Sequence, residues 1–184
     1  MARSSSFRHP GKAKISAFYK TRFHSEHSSK MLIKKILVAF DGSEPSKRAI
    51  DYAADMVHSY KGSLVILTVV PKVTIPIFPD EGFGTVPVTT SPDWAEYQEK
   101  MNETYKKSQD DAVKDLKEHY PKLPVEALLL EGRPSSTIVE QAEKNQTDLI
   151  VIGSRGLGGI SGWILGSTSR RVVESCTKPV LVIK

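Results

Sequence analysis

The chain has 184 residues and a single cysteine, Cys176, so no intramolecular disulfide can form. One thiol favours a reducing compartment and a partly buried, inert side chain. No apolar run approaches the roughly 18 residues of a membrane-spanning helix. The first 30 residues also lack the apolar core of a secretory signal. These absences predict a soluble, cytoplasmic protein with no membrane contact.

The positive charge of the chain is unevenly distributed. The formal net charge is +5, but residues 1–30 hold seven basic residues and one acidic residue. Residues 31–184 carry 19 basic and 20 acidic residues, which leaves no basic excess. Since nucleic-acid binding requires a basic surface, we do not expect a nucleic acid as partner.

Residues 1–30 are rich in serine, carry scattered basic residues and show no apolar period, which predicts a disordered basic leader. Three origins stay open: a start assigned upstream of Met31, an added tag, or an Arg/Ser-rich transit peptide for organelle import. We favour the first because Met31 leads straight into an apolar strand. Residues 31–184 are predicted to form one domain.

From Met31 onward, short apolar runs alternate with helical patterns. The predicted strands cover residues 32–40, 64–70, 125–130, 148–152 and 179–183. Strands that alternate with helices require right-handed crossovers and a parallel sheet covered on both faces. The sequence therefore predicts a doubly wound, Rossmann-like α/β fold. Ligands of such folds bind beyond the carboxyl ends of the strands, where the strand order reverses.

Two glycine clusters lie between the fourth strand and the last predicted helix. The first is Gly153-Ser154-Arg155-Gly156, and nine residues later comes Gly166-Ser167-Thr168-Ser169. Glycines let a ligand approach the bare backbone, and a helix start offers unpaired N–H groups and a positive dipole end. Phosphate is the ligand that this pattern predicts. An ordinary Gly-rich turn with a Ser/Thr cap is the alternative.

Two charged residues beside these clusters have alternative roles. Asp41 follows the first strand and either bonds the N–H groups of its own turn or contacts a ribose. Because it faces the glycine segment across the switch point, we favour the ribose role. Arg155 is either a solvated loop residue or a bidentate phosphate donor.

Catalytic groups are scarce around the glycine clusters. No lysine occurs in residues 149–177, so the Walker arrangement is missing. No general base or nucleophile is placed there by the pattern, and His58 and His119 stand alone on helices, without the spacing of a metal site. The sequence predicts little or no hydrolysis of a bound nucleotide and no protein-held metal.

Five segments occur in order along the chain: Val38-Ala39-Phe40-Asp41-Gly42-Ser43, Leu67-Thr68-Val69-Val70, Glu131-Gly132-Arg133-Pro134, the run from Asp148 to Ser154, and Lys178-Pro179-Val180-Leu181-Val182. Together they resemble the universal stress protein family over residues 31–184. The pattern G-x2-G-x9-G-S/T of the ATP-binding branch is satisfied at every position. The resemblance implies a five-stranded parallel sheet of order 3-2-1-4-5 and a homodimer that pairs the edge strands from Pro179 to Ile183.

The resemblance also implies roles for individual residues. Asp41 would lie beside the ribose and adenine, Ala39 and Val69 would contact the base, and Ile152 would lie under the nucleotide. Ribose and phosphates would be wrapped by Gly153, Ser154, Arg155 and Gly156. The phosphates would be held by Gly166, Ser167, Thr168 and Ser169, and Mg²⁺ or Mn²⁺ would be carried by the phosphates of ATP.

These expectations define a functional hypothesis. The protein is expected to be a cytoplasmic, dimeric, ATP-dependent sensor or switch in a stress response. Nucleotide occupancy would alter the proline-rich stretch 71–92 or the dimer surface for a protein partner that the sequence does not identify. The alternatives are a nucleotide-free interaction module and a slow ATPase.

Overall fold

The computed structural model describes residues 33–72, 92–156 and 165–184. The chain divides into two units, Met1–Leu32 and Ile33–Lys184, and only the second is described here. The leader, most of the stretch 71–92 and residues 157–164 between the two glycine clusters lie outside the described residues, so the expectations about the leader and that stretch stay predictions. Among the described helices, none is both long enough and apolar enough to cross a bilayer.

The described residues contain five parallel strands in the order β3-β2-β1-β4-β5. The strands are β1 (Lys35–Ala39), β2 (Ser63–Pro71), β3 (Val125–Gly132), β4 (Leu149–Gly153) and β5 (Val180–Ile183). This arrangement confirms the predicted doubly wound fold and its strand order. The first strand is shorter than predicted, beginning at Lys35 rather than at residue 32.

Four described helices connect the strands. They are α1 (Glu44–Tyr60), α2 (Pro92–His119), α3 (Pro134–Lys144) and α4 (Ser167–Ser175). Helix α1 begins at Ser43, whose side chain accepts a hydrogen bond from the Ser46 N–H, and Pro45 occupies its first turn. Both features are favourable at a helix start, so local chemistry fixes where the chain turns back from β1.

The sheet separates two hydrophobic clusters. On one face, β1 and β2 side chains such as Ile36 and Ile66 pack with Ala53 of α1 and Leu116 of α2. On the other face, Leu37, Val65 and Ile150 pack with Ile138 of α3 and Val172 of α4. Cover on both faces explains why the central strands are apolar without alternation.

Thr68 is a polar residue inside this apolar sheet. Its side chain is fully buried in β2, and its Oγ1 has no hydrogen-bond partner among the described residues. An unsatisfied buried polar group costs about 1–3 kcal/mol of folding free energy. The unpaired hydroxyl of Thr68 therefore lowers the stability of the fold.

Replacing the hydroxyl with a methyl group of similar size tests this assignment. We expect Thr68→Val to raise the free energy of unfolding by about 1 kcal/mol, because it removes an unpaired polar atom and keeps the side-chain shape. Urea denaturation measures the change. Thr147→Val is the matched control, since the buried Thr147 Oγ1 donates to Ala142 O at 3.1 Å and its loss should destabilise the fold. A destabilised Thr68→Val protein would contradict the assignment.

Candidate functional site

Asp41 lies in a tight turn at the carboxyl end of β1. Its Oδ1 accepts hydrogen bonds from the Ser43 N–H at 3.0 Å and the Ser43 hydroxyl at 2.6 Å. Gly42 between them has φ +87°, a conformation that favours glycine. The turn bonding considered for Asp41 is thus present, but it engages Oδ1 rather than both carboxylate oxygens.

Gly153 brings the end of β4 against the start of α1. A β-carbon built on Gly153 would lie 2.9 Å from the Pro45 carbonyl carbon and 3.0 Å from Ser46 N. Any larger residue would push the first turn of α1 away from β4. Next in the chain, the Ser154 N–H donates to Ile183 O at 2.5 Å, which extends the β4–β5 ladder.

Gly156 brings the loop after β4 into contact with Asp41. A β-carbon on Gly156 would collide with Asp41 Oδ2. Ser43 Oγ also lies 3.3 Å from Arg155 O, so the same loop touches the turn at a second point. The structure therefore brings Asp41 and the glycine segment together, as the switch-point argument predicts.

Helix α4 begins beside that segment. Gly166 is its N-cap residue, and glycine has no side chain with which to cap the helix. The Gly166 N–H donates to Ser154 O at 2.8 Å, which anchors the helix start to the loop after β4. The Ser169 hydroxyl donates to Gly153 O at 2.7 Å. The alternative of an ordinary Ser/Thr cap is therefore wrong, because the capping position holds glycine and Ser169 bonds back to β4.

The start of α4 has the properties of an anion site. Its first turn contains no acidic residue, and its N-cap residue, Gly166, makes no side-chain capping bond. Ser167 is exposed and Thr168 is partly exposed. Unpaired N–H groups at a helix start attract anions through both hydrogen bonding and the helix dipole. Two groups of this helix start, the Gly166 N–H and the Ser169 hydroxyl, bond to Ser154 O and Gly153 O at the end of β4.

An apolar floor lies at the carboxyl ends of the three central strands. Ala39, Val69 and Ile152 belong to the same hydrophobic cluster on the α3 and α4 face of the sheet. Ala39 pairs in register with Ile152 of β4 and with Leu67 of β2, two residues before Val69. Apolar side chains next to a carboxylate are suited to a ring system that carries hydroxyl groups.

Helix α2 contributes residues that the sequence did not indicate. A β-carbon on Gly42 would lie 3.0 Å from Ser108 Oγ, so α2 packs directly on the Asp41 turn. One turn earlier, burial raises the pKa of the half-buried Tyr105, with smaller contributions from the charges of Asp41 and Tyr97. The i, i+3 spacing of Tyr105 and Ser108, which places them on one face of the helix, was the only sequence signal for this contact, and the helix is otherwise polar.

The contact between Gly156 and Asp41 predicts a specific stability effect. We expect Gly156→Ala to lower the free energy of unfolding by about 1–3 kcal/mol, because the new methyl group overlaps the carboxylate. The loss should shrink in an Asp41→Ala background, as measured by a double-mutant cycle in urea.

Gly166→Ala is the matched control for this prediction. The nearest atoms to a β-carbon on Gly166 lie at 3.4 Å, and its φ is −59°. We expect a change within about 0.5 kcal/mol for this variant. Equal costs for the two alanine variants would contradict the close approach of Gly156 to Asp41.

Comparison with known proteins agrees with this architecture. The sequence model of the universal stress protein family matches residues 32–184. A universal stress protein of Methanocaldococcus jannaschii is 32% identical over 155 residues, covering 83% of this chain and 83% of the relative.

Solved structures show the same fold. The universal stress protein UspA from Lactobacillus plantarum superposes with a TM-score of 0.67 at 21% identity, covering 83% of this chain and 98% of its own. A universal stress protein in complex with cAMP has a TM-score of 0.57 at 24% identity, with coverages of 83% and 97%. The Archaeoglobus fulgidus protein in complex with dAMP has a TM-score of 0.53 at 22% identity, with coverages of 83% and 99%. On the family match and the identity to its relative, the chain belongs to the universal stress protein family.

Proposed function

We propose that this protein binds ATP at the carboxyl edge of the sheet. The observation that carries the proposal is the start of α4, whose N-cap is glycine and which is held against the loop of Gly153 and Gly156 while that loop contacts Asp41. A donor-rich helix start, a carboxylate and an apolar floor are then adjacent. Phosphate, ribose and base are the three chemical groups that match them.

Each part of the nucleotide has a candidate partner. The base would lie on Ala39, Val69 and Ile152, which are nearly buried but remain 5–8% exposed. The ribose hydroxyls would donate to the carboxylate of Asp41, which is acceptor-only when ionised.

The phosphates would accept hydrogen bonds from the two glycine clusters. The proposed contacts are those of the sequence prediction: Gly153, Ser154, Arg155, Gly156, Gly166, Ser167, Thr168 and Ser169. The N–H groups of Ser154 and Gly166 already bond within the protein, so those two residues would act through their position rather than through these donors. The hydroxyl of the buried Ser169 also bonds within the protein, to Gly153 O, so Ser169 would contribute its backbone N–H.

The metal would come with the nucleotide. Within residues 33–72, 92–156 and 165–184, no group of three His, Cys, Asp or Glu side chains is placed to hold a metal ion. Mg²⁺ readily keeps several waters and binds through phosphate oxygens, so Mg²⁺ or Mn²⁺ would be held by the ATP phosphates. The cAMP and dAMP complexes of two family neighbours support adenine nucleotides as the ligand class.

We infer a binding role rather than a catalytic one. Phosphoryl transfer depends on positioned cations and an oriented nucleophile, and the stretch from β4 through α4 supplies no lysine. Occupancy would act as a switch only if ATP binds two states of the protein with different affinity. We propose that the stretch 71–92 or the dimer surface changes for a protein partner in response.

Ser167→Pro is the sharpest test of the anion site. Proline at the first position of a helix removes the Ser167 N–H and hydroxyl while preserving the helix. We expect the wild-type protein to bind Mg·ATP with micromolar affinity, and the variant to bind about tenfold more weakly with stability nearly unchanged. Isothermal titration calorimetry measures the affinities.

Ser175→Ala at the far end of α4 is the control, since the Ser175 hydroxyl bonds only Arg171 O there. Wild-type protein that binds no nucleotide would overturn the proposal in favour of an interaction module. Phosphate release above that of a Gly156→Val variant would replace it with a slow ATPase.

We also propose that the protein dimerises through β5, which lies at one edge of the sheet. The Ile150 N–H donates to Pro179 O at 3.0 Å and the Ser154 N–H donates to Ile183 O. Successive residues of a strand point their backbone N–H and C=O groups to opposite sides. The backbone groups of Val180 and Val182 therefore point away from β4, toward the outer edge of the sheet. An apolar edge of this kind is a template for pairing with a second chain.

Val182→Pro should block pairing at that edge. It removes an outward N–H and leaves the bonds between β4 and β5 intact, and proline is tolerated on edge strands. We expect a monomer by sedimentation equilibrium, whereas Val182→Thr, which keeps the N–H, should remain a dimer. A Val182→Pro dimer would show that another surface holds the two copies together.

A further inference from the structure

Helix α2 is held in a fixed register against the carboxyl half of the sheet. Gln109 is buried, and its Nε2 donates to Ile66 O at 3.0 Å and to Leu128 O at 2.9 Å. Two turns earlier, Asn102 Nδ2 donates to Glu131 Oε1 at 2.6 Å, near the end of β3. These bonds to β2 and β3 fix both the rotation and the height of the helix.

Tyr105 lies between these anchors on the same side of α2. It precedes Ser108, which packs on Gly42, by three residues and follows Asn102 by three residues. Residues three or four apart on a helix share one face. The helix therefore presents Tyr105 toward the turn that contains Asp41.

We propose that Tyr105 completes the ribose end of the nucleotide site, where its hydroxyl and the Asp41 carboxylate together recognise the ribose hydroxyls. This inference rests on the proposed ATP binding. Tyr105 is a specificity-determining residue in this account, because it discriminates a ribose from a deoxyribose. The apolar floor and the start of α4 would hold base and phosphates without it.

The chemistry of the two groups is complementary. An ionised carboxylate only accepts hydrogen bonds, and Asp41 already uses Oδ1 for the Ser43 turn. A phenol both donates and accepts, so it offers a ribose hydroxyl the donor that Asp41 lacks. The phenol is protonated at neutral pH at its ordinary pKa of about 10. Burial and the neighbouring carboxylate raise the pKa of Tyr105 further.

The test compares ATP with its 2′-deoxy and 3′-deoxy analogues by calorimetry on the full-length protein. We expect wild-type protein to prefer ATP over at least one analogue. Tyr105→Phe should weaken ATP binding about three- to tenfold and reduce the difference in affinity between ATP and that analogue. Tyr60→Phe is the control. Tyr60 is half exposed and is the last residue of α1, near the amino ends of the strands and away from the proposed site.

The outcomes separate the proposed ATP binding from the proposed role of Tyr105. If wild-type protein prefers ATP and Tyr105→Phe keeps the full preference, the role of Tyr105 is overturned while nucleotide binding stands. Equal binding of ATP and both analogues by wild-type protein also overturns it. If wild-type protein binds none of the three, ATP binding itself fails and the role of Tyr105 fails with it. If Tyr105→Phe lowers the affinity for ATP but leaves the affinity difference between ATP and the deoxy analogue unchanged, Tyr105 has a structural role, and this result would count against the proposal.

Discussion

The close approach of Gly156 to Asp41 is the contact on which the candidate site depends. It joins the turn after β1 to the loop after β4, and a β-carbon at Gly156 would force the Asp41 carboxylate to move. Just before this loop, Gly153 packs against the first turn of α1, and Ser154 accepts the hydrogen bond that anchors the start of α4. A carboxylate and a helix start whose N-cap is glycine are thereby held together by backbone packing.

The doubly wound topology explains why this junction is available for binding. Strand β1 lies between β2 and β4, and the chain leaves β1 and β4 toward opposite faces of the sheet. Helix α1 packs on one face and α4 on the other, and the apolar residues at the strand ends between them, Ala39, Val69 and Ile152, are buried with 5–8% of their surface exposed. The fold supplies the position, while the glycines and hydroxyl residues decide what kind of ligand the position suits.

Much of this arrangement was predictable because it depends on short-range chemistry. The strand order, the Ser43 start of α1 and the meeting of Asp41 with the glycine segment follow from local patterns and the rules of parallel sheets. The cap of α4 was less certain, since glycine and serine both suit that position. Tyr105 and Ser108 escaped prediction because long-range hydrogen bonds from Gln109 and Asn102 set the rotation of α2. Similarly, nothing local distinguishes the unpaired hydroxyl of Thr68 within its apolar strand.

The central claim is that ATP occupies the junction of β1, β4 and α4. A titration of isotope-labelled protein with Mg·ATP, followed by backbone amide chemical shifts, tests it most directly. The account predicts that the largest changes occur at Asp41, Gly156 and the first turn of α4, with little change at the end of α1. Shifts confined to other surfaces, or none at saturating nucleotide, would contradict it.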